Sequence, residues 1–69
     1  MKLLHYSTLI DSGVYTVNVA IIDKTKKERR YEYALTSAFD YSKFMSYYKK
    51  QYYHKALKIL KNYNYRRKD

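Results

Sequence analysis

The hydrophobic pattern of this chain changes period once, and that change limits the folds open to it. Between Val14 and Leu35 the apolar residues alternate. Tyr15, Val17, Val19 and Ile21 fall on one side with Thr16, Asn18 and Ala20 on the other. After a polar stretch, Asp23 to Lys27, residues Arg29, Tyr31, Tyr33 and Leu35 share one side while Arg30, Glu32 and Ala34 share the other. A repeat of two is the signature of a half-buried β-strand. Upstream, Leu3 to Ile10 is a mixed apolar run that stops at Asp11-Ser12-Gly13, which holds the only glycine of the chain. Strands are therefore expected over 3–10, 14–22 and 28–35, and because connections of three to five residues are too short for a parallel crossover, they form an antiparallel meander.

Beyond Leu35 the repeat becomes helical. Thr36-Ser37 offers an N-cap, and Asp40, three residues after Ser37, completes an approximate capping box at the positive end of a helix dipole. Tyr41, Phe44, Met45 and Tyr48 recur at helical spacing, and a second apolar set follows at Tyr52, Tyr53, Ala56, Ile59, Leu60 and Tyr63. One helical phase runs through Lys49-Lys50-Gln51, so one bent helix and two consecutive helices both fit. A straight helix of 26 residues would reach about 39 Å and overhang strands of roughly 20–25 Å, which favours a bend near 49–51. The expectation is an α+β fold: a three-stranded antiparallel meander, then helical segments over about 38–49 and 52–64 packed on one sheet face, with 66–69 as a frayed tail. The whole of 1–69 is expected to form one domain, since 69 residues give no material for a second core.

Without cysteine, neither disulfides nor thiolate metal sites can staple the fold, and packing or self-association has to do so. The apolar start Met-Lys-Leu-Leu is too short for a signal peptide, and no run approaches the roughly 18 apolar residues of a membrane span. A cytoplasmic protein is expected, in the host cell cytoplasm if the chain is phage-encoded.

Catalytic chemistry finds few pieces here. His5 and His54 stand about fifty residues apart, no glycine-rich phosphate loop or paired metal-ligand motif occurs, and the acids read as turn, cap or cross-strand residues: Asp11, Asp23, Asp40, Glu28 and Glu32. A non-enzymatic protein without cofactor or metal is expected.

The charge is informative. Net +9 is distributed unevenly: residues 43–69 hold nine Lys and Arg against one acid, whereas 1–42 hold six against five. Concentrated positive charge of this kind suits a polyanionic partner. At helical spacing His54, Lys55, Lys58, Lys61, Asn62 and Tyr65 share one side of the second helical segment, opposite Tyr52, Ala56, Ile59 and Tyr63. Lys49 and Lys50 extend that basic side at one end and Arg66, Arg67 and Lys68 at the other, giving a stripe that could follow a phosphate backbone. Eleven tyrosines exceed what so short a chain buries with every hydroxyl satisfied. Tyr33, Tyr47, Tyr53 and Tyr65 are the expected surface rings, and Tyr33, Tyr53 and Tyr65 those for stacking on unpaired bases.

Several of these residues resemble a known family. Tyr31-Glu32-Tyr33 after Arg29-Arg30, the helix with Phe44, the pair Tyr52-Tyr53 before His54-Lys55, and Ile59, Tyr63 and Tyr65 in an Ile-x-x-x-Tyr-x-Tyr ending are similar to the KTSC domain. This is the small module named for the C-terminus of some lysyl-tRNA synthetases and found alone in bacterial and phage proteins. Ser7, Ile10 and Tyr15 match more loosely, and the similarity spans roughly residues 7–67. Where the family has Val-Pro before its first helix and Ser-x-Gly between helices, this chain has Leu35-Thr36 and Tyr48-Lys49-Lys50, so it looks like a diverged version. The resemblance implies RNA binding.

Together these readings give a small basic nucleic-acid-binding module, for RNA or another single strand. Its expected contacts are Lys49, Lys50, Lys55, Lys58, Lys61, Arg66, Arg67, Tyr33, Tyr53 and Tyr65. No helix-turn-helix pattern favours major-groove reading. The alternative is a phage- or plasmid-type inhibitor docking on an acidic protein surface or host nucleoprotein complex, because interfaces also enrich Tyr and Arg. A membrane partner is not expected, since a Tyr-rich arc inserts poorly. A homodimer fits the open edges so small a sheet would leave.

Overall fold

The computed structural model describes residues 1–68. Three long strands open the chain, β1 (Lys2–Asp11), β2 (Val14–Ile22) and β3 (Glu28–Leu35); helices α1 (Ala38–Lys49) and α2 (Tyr53–Leu60) follow, and a short strand β4 (Tyr65–Arg67) ends it. All pairings are antiparallel in the order β1-β2-β3-β4. The fold is α+β, with one strand more than the sequence pattern suggested.

Local chemistry explains the boundaries. Ser12 and Gly13 both adopt positive φ, 51° and 79°, the conformation of a tight hairpin turn between twisted strands. The second turn is organised by Asp23, whose Oδ1 accepts from the Thr25 amide at 2.9 Å, the Thr25 hydroxyl and the Lys27 amide. These bonds hold the Asp23 carboxyl below its ordinary pKa, the Thr25 hydroxyl contributing most. Helix α1 starts where the cap predicts: Ser37 is extended and its Oγ accepts from the Asp40 amide at 3.1 Å. It ends at Lys50, and Gln51 takes a positive φ of 64° to turn the chain into α2, although neither glycine nor proline is present. The bend expected at 49–51 is thus a break between two helices.

Two expectations are corrected. Helix α2 stops at Leu60 and does not continue to 64, because Asn62 and Tyr63 donate their amides to Ile59 and Leu60 carbonyls and tighten the chain into a turn. The segment expected to fray from 66 instead pairs with β3, with Tyr33 opposite Tyr65, Glu32 opposite Arg66 and Tyr31 opposite Arg67. The Ala34 amide donates to Asn64 O and the Lys68 amide to Arg30 O, extending that ladder at both ends. Asp69, part of the expected tail, lies outside the described residues.

The core lies between the helices and one face of the sheet. Leu3, Val17, Val19, Tyr33 and Leu35 meet Phe44 of α1 and Ala56, Leu57, Ile59 and Leu60 of α2. Strand register puts these sheet residues, with Tyr15, Ile21, Tyr31 and His5, on the same face. Phe44 is the only fully buried residue of α1, so it anchors a helix whose Tyr41, Met45, Tyr47 and Tyr48 are partly covered and whose Phe39 is exposed. A β-bulge between His5 and Ser7 inserts Tyr6 and reverses the alternation of β1 beyond it.

His5 is part of this packing. Its ring meets Phe44 and Tyr48 edge-on at 6.0 and 5.9 Å, its Nε2 shares a 2.7 Å hydrogen bond with Thr8 Oγ1, and its amide donates to the Tyr48 hydroxyl. Desolvation lowers its pKa from 6.5.

Two outcomes follow from this packing. Phe44→Ala should cost about 3–5 kcal/mol of unfolding free energy, a large part of the total for so small a domain, and urea denaturation would show it as a collapse of the midpoint while Phe44→Leu keeps most of it. For His5 the unfolded chain binds the proton more readily than the folded one. Its contribution is therefore complete above pH 6.5 and is lost as pH falls from there to the folded-state pKa, below which the loss levels off. The melting temperature should drop on acidification from pH 7, and His5→Gln should remove the part of that drop that precedes carboxylate titration.

Candidate nucleic-acid interface

The fourth strand makes a site that the linear pattern does not contain. Between α2 and the β3–β4 side of the sheet runs a groove of about 540 Å³, lined by Ile21, Tyr31, Tyr33, Leu57, Lys61, Tyr63 and Tyr65. Four tyrosines from three parts of the chain meet there. Tyr31 and Tyr33 come from the inner face of β3, and Tyr65 stands opposite Tyr33 because β4 pairs in that register. The Tyr65 ring lies 5.5 Å from Tyr31 edge-on and 5.6 Å from Tyr33, yet remains 63% exposed, so it offers a free face to solvent. Tyr33 is only 4% exposed and forms the floor. Burial, followed by the neighbouring Tyr31 and Tyr65, raises its pKa above 10.0.

Tyr63 secures the turn leading into this strand. Its hydroxyl donates a hydrogen bond to Oδ2 of Asp40, joining the end of the helical hairpin to the first turn of α1. That bond, more than desolvation, raises the Tyr63 pKa, and it gives Asp40 a second task beside its place at the helix N-terminus.

Positive charge borders the groove. Lys61 lines it from the end of α2. Arg67 stands opposite Tyr31, so it belongs to the same inner face of the sheet as Tyr65. Arg29, opposite Ile21 and two residues before Tyr31, is on that face too, and its buried Nε has no hydrogen-bond partner among the described residues. Along α2, His54, Lys55, Lys58 and Lys61 are exposed while Ala56, Leu57, Ile59 and Leu60 are buried, so the helix has one basic and one packed side. The packed side is aliphatic: Leu57 joins it, whereas Tyr52, expected there, is 51% exposed.

The expected contacts divide into groups. Lys61, Tyr65 and the floor residue Tyr33 come together at the groove, with Arg67 on the same face of the sheet and Lys58 on the exposed side of α2. Tyr33 is too buried to stack on a base, which corrects its reading as a surface ring. Arg66 faces away, because neighbouring residues of a strand project to opposite faces. Lys68 pairs with Glu32 at 3.1 Å, also on that open face, so the stripe does not continue through 66–68 as one line. Lys49 and Lys50 are exposed at the C-terminal end of α1, where they complement its dipole. Lys55 has its Nζ 5.7 and 5.6 Å from the Tyr47 and Tyr52 ring centres and caps that aromatic pair. Tyr53 is half-buried beside Tyr48 and borders a separate hollow of about 300 Å³ with Gln51, Tyr52, His54 and Lys55. Tyr47 is half-buried as well.

Sequence reasoning missed Tyr31, Tyr63, Leu57 and Ile21 as members of the site, and Arg29 as a cation on the same sheet face. The shared period of Tyr31 and Tyr33 was a usable signal, since whatever approaches one approaches the other. Comparison of the chain with protein-family models, with curated proteins and with solved structures finds no match in any of the three.

Replacing Tyr63 by Phe should loosen the turn without emptying the core. Hydrogen exchange would report it: the Ala34 and Lys68 amides, bonded to Asn64 O and Arg30 O, should exchange faster, while amides in β2 keep their protection.

Proposed function

We propose that this protein is a non-enzymatic nucleic-acid-binding module, a diverged relative of the KTSC domain, that holds RNA or another single strand along α2 and in the adjoining tyrosine groove. The observation that carries the reading is the coincidence of an exposed aromatic ring and a lysine at one opening, Tyr65 beside Lys61. Unpaired bases stack on such rings without regard to sequence, and phosphates are neutralised by lysines through counterion release. Lys58 and Lys61 on the outer side of α2, with Arg67 across the groove, give a path for the backbone; Tyr65 receives a base against the floor of Tyr31 and Tyr33. The residues that carry the family resemblance at the centre and the end of the chain, Tyr31, Tyr33, Tyr63 and Tyr65, are the same four that line this groove, which supports reading both as one feature. The opening admits a single base more readily than a duplex, whose stacked bases offer no free face.

Titration against a short unstructured RNA, the matching single-stranded DNA and heparin at two salt concentrations tests the proposal. Affinity for RNA should fall steeply with salt and exceed that for heparin, and Lys58→Glu with Lys61→Glu should abolish it while circular dichroism stays unchanged. Tyr65→Ala should weaken RNA binding by about 1–3 kcal/mol, a factor of roughly 5 to 150, and leave heparin unaffected, because only a base can stack. Equal weak binding to all three polyanions would overturn the reading in favour of docking on an acidic protein surface.

A further inference from the structure

The two edges of the sheet differ. On the β4 side the edge is three residues long and carries Arg66, Arg67 and Lys68, features that discourage further strand pairing. On the β1 side the strand spans ten residues, Lys2 to Asp11, of which all but the bulged Tyr6 pair with β2; among the described residues it pairs with no other strand, contains no proline, and carries the two most exposed aliphatic side chains, Leu9 at 66% and Ile10 at 61%.

The bulge gives this strand an unusual symmetry. Before it, Leu3 and His5 stand opposite Ile21 and Val19 and face the helices, while Lys2 and Leu4 face away. After it, Thr8 and Ile10 stand opposite Val17 and Tyr15 and face the helices, while Ser7, Leu9 and Asp11 face away. Read from either end, the order is outward, helix side, outward, helix side, with Tyr6 and Ser7 at the centre. An unbulged strand of ten residues could not do this, because its first and last side chains would lie on opposite faces.

We propose that β1 pairs antiparallel with β1 of a second copy of this chain, about a two-fold axis that passes between Tyr6 and Ser7 and is perpendicular to the sheet. In that register every side chain meets one on its own face. Lys2 is opposite the partner's Asp11, Leu3 opposite the partner's Ile10, Leu4 opposite the partner's Leu9 and His5 opposite the partner's Thr8. Charge meets opposite charge at both ends, and both exposed aliphatic residues gain apolar neighbours. The main chain agrees. The His5 amide points away from β2, to the Tyr48 hydroxyl at 3.0 Å, so alternation turns the main-chain groups of Leu3, His5, Thr8 and Ile10 to the free edge, and these four pair with one another. The Tyr48 hydroxyl is displaced by the partner's Thr8 carbonyl and thus competes with assembly. The product is one eight-stranded sheet with all four helices and both grooves on the same side.

Sedimentation equilibrium over a range of concentrations, without nucleic acid, tests this separately from the binding function. The chain should show a monomer–dimer equilibrium. Lys2→Glu and Asp11→Lys, each placing like charges opposite one another twice per dimer, should each weaken it roughly tenfold, and the double variant should restore it. The first of these is the sharper, since it lowers the net charge and would strengthen an association limited only by general repulsion. Leu9→Lys should abolish the dimer, and Tyr48→Phe should tighten it. All positions but Tyr48 are exposed, and circular dichroism checks that each variant folds. A wild-type chain that stays monomeric at every concentration, or a dimer that ignores Leu9→Lys, or charge reversals whose combination is no better than either alone, would overturn the proposal.

Discussion

The attachment of α1 to the sheet through one buried ring, Phe44, is the constraint on which the rest of the molecule depends. The other α1 side chains that reach the core, Tyr41, Met45, Tyr47 and Tyr48, are only partly buried, and Phe39 is exposed, so Phe44 is the one residue of the helix wholly inside. Once Phe44 is seated, the turn at Lys50-Gln51 directs α2 back across the sheet with its aliphatic side inward. The end of α2 is then brought beside the start of α1, where Asp40 receives the Tyr63 hydroxyl. That contact sends the chain down alongside β3, and only there do Tyr65 and Arg67 reach the inner face of the sheet. Each step is a single turn or contact, yet the series carries information from the middle of the chain to its last strand.

Much of this architecture is legible in the sequence, for reasons that can be named. Strands β2 and β3 bury their large apolar side chains on one face, the small Ala20 being the one fully covered residue on the other, so their alternation is clean, and their ends coincide with turns made by Gly13 and Asp23. The start of α1 is readable because capping is local: Ser37 and Asp40 satisfy it within three residues. Strand β4 is not readable. Its three residues are all exposed, show no apolar alternation, and owe their conformation to pairing with residues more than thirty positions away. The same long-range effect misleads the reading of Tyr63. Its spacing continues the helical stripe, but its side chain serves a carboxylate in the other helix.

The candidate site shows a similar division. The basic side of α2 follows from helical periodicity and is present as such, with His54, Lys55, Lys58 and Lys61 turned outward. The aromatic half depends on which strand lies next to which. Tyr33 and Tyr65 are thirty-two positions apart and meet only through the β3–β4 ladder. Arg66 and Arg67, adjacent in sequence and equivalent in composition, end on opposite faces. Lys55 is drawn from the basic side to cap two tyrosine rings. A count of positive residues therefore overstates the charge any one surface presents, and the pleat of a three-residue strand decides what remains.

The exposure of β4 has a dynamic consequence. Because none of Tyr65, Arg66 and Arg67 is buried, detaching this strand leaves the apolar interior between helices and sheet almost untouched. Opening of the segment is therefore a local event, far less costly than global unfolding. Tyr65 forms one wall of the groove, so the groove exists in full only while the strand is docked, and any molecule seated against that ring shifts the balance toward the docked state. Occupancy of the groove and order of the terminal strand are in this way coupled, each favouring the other.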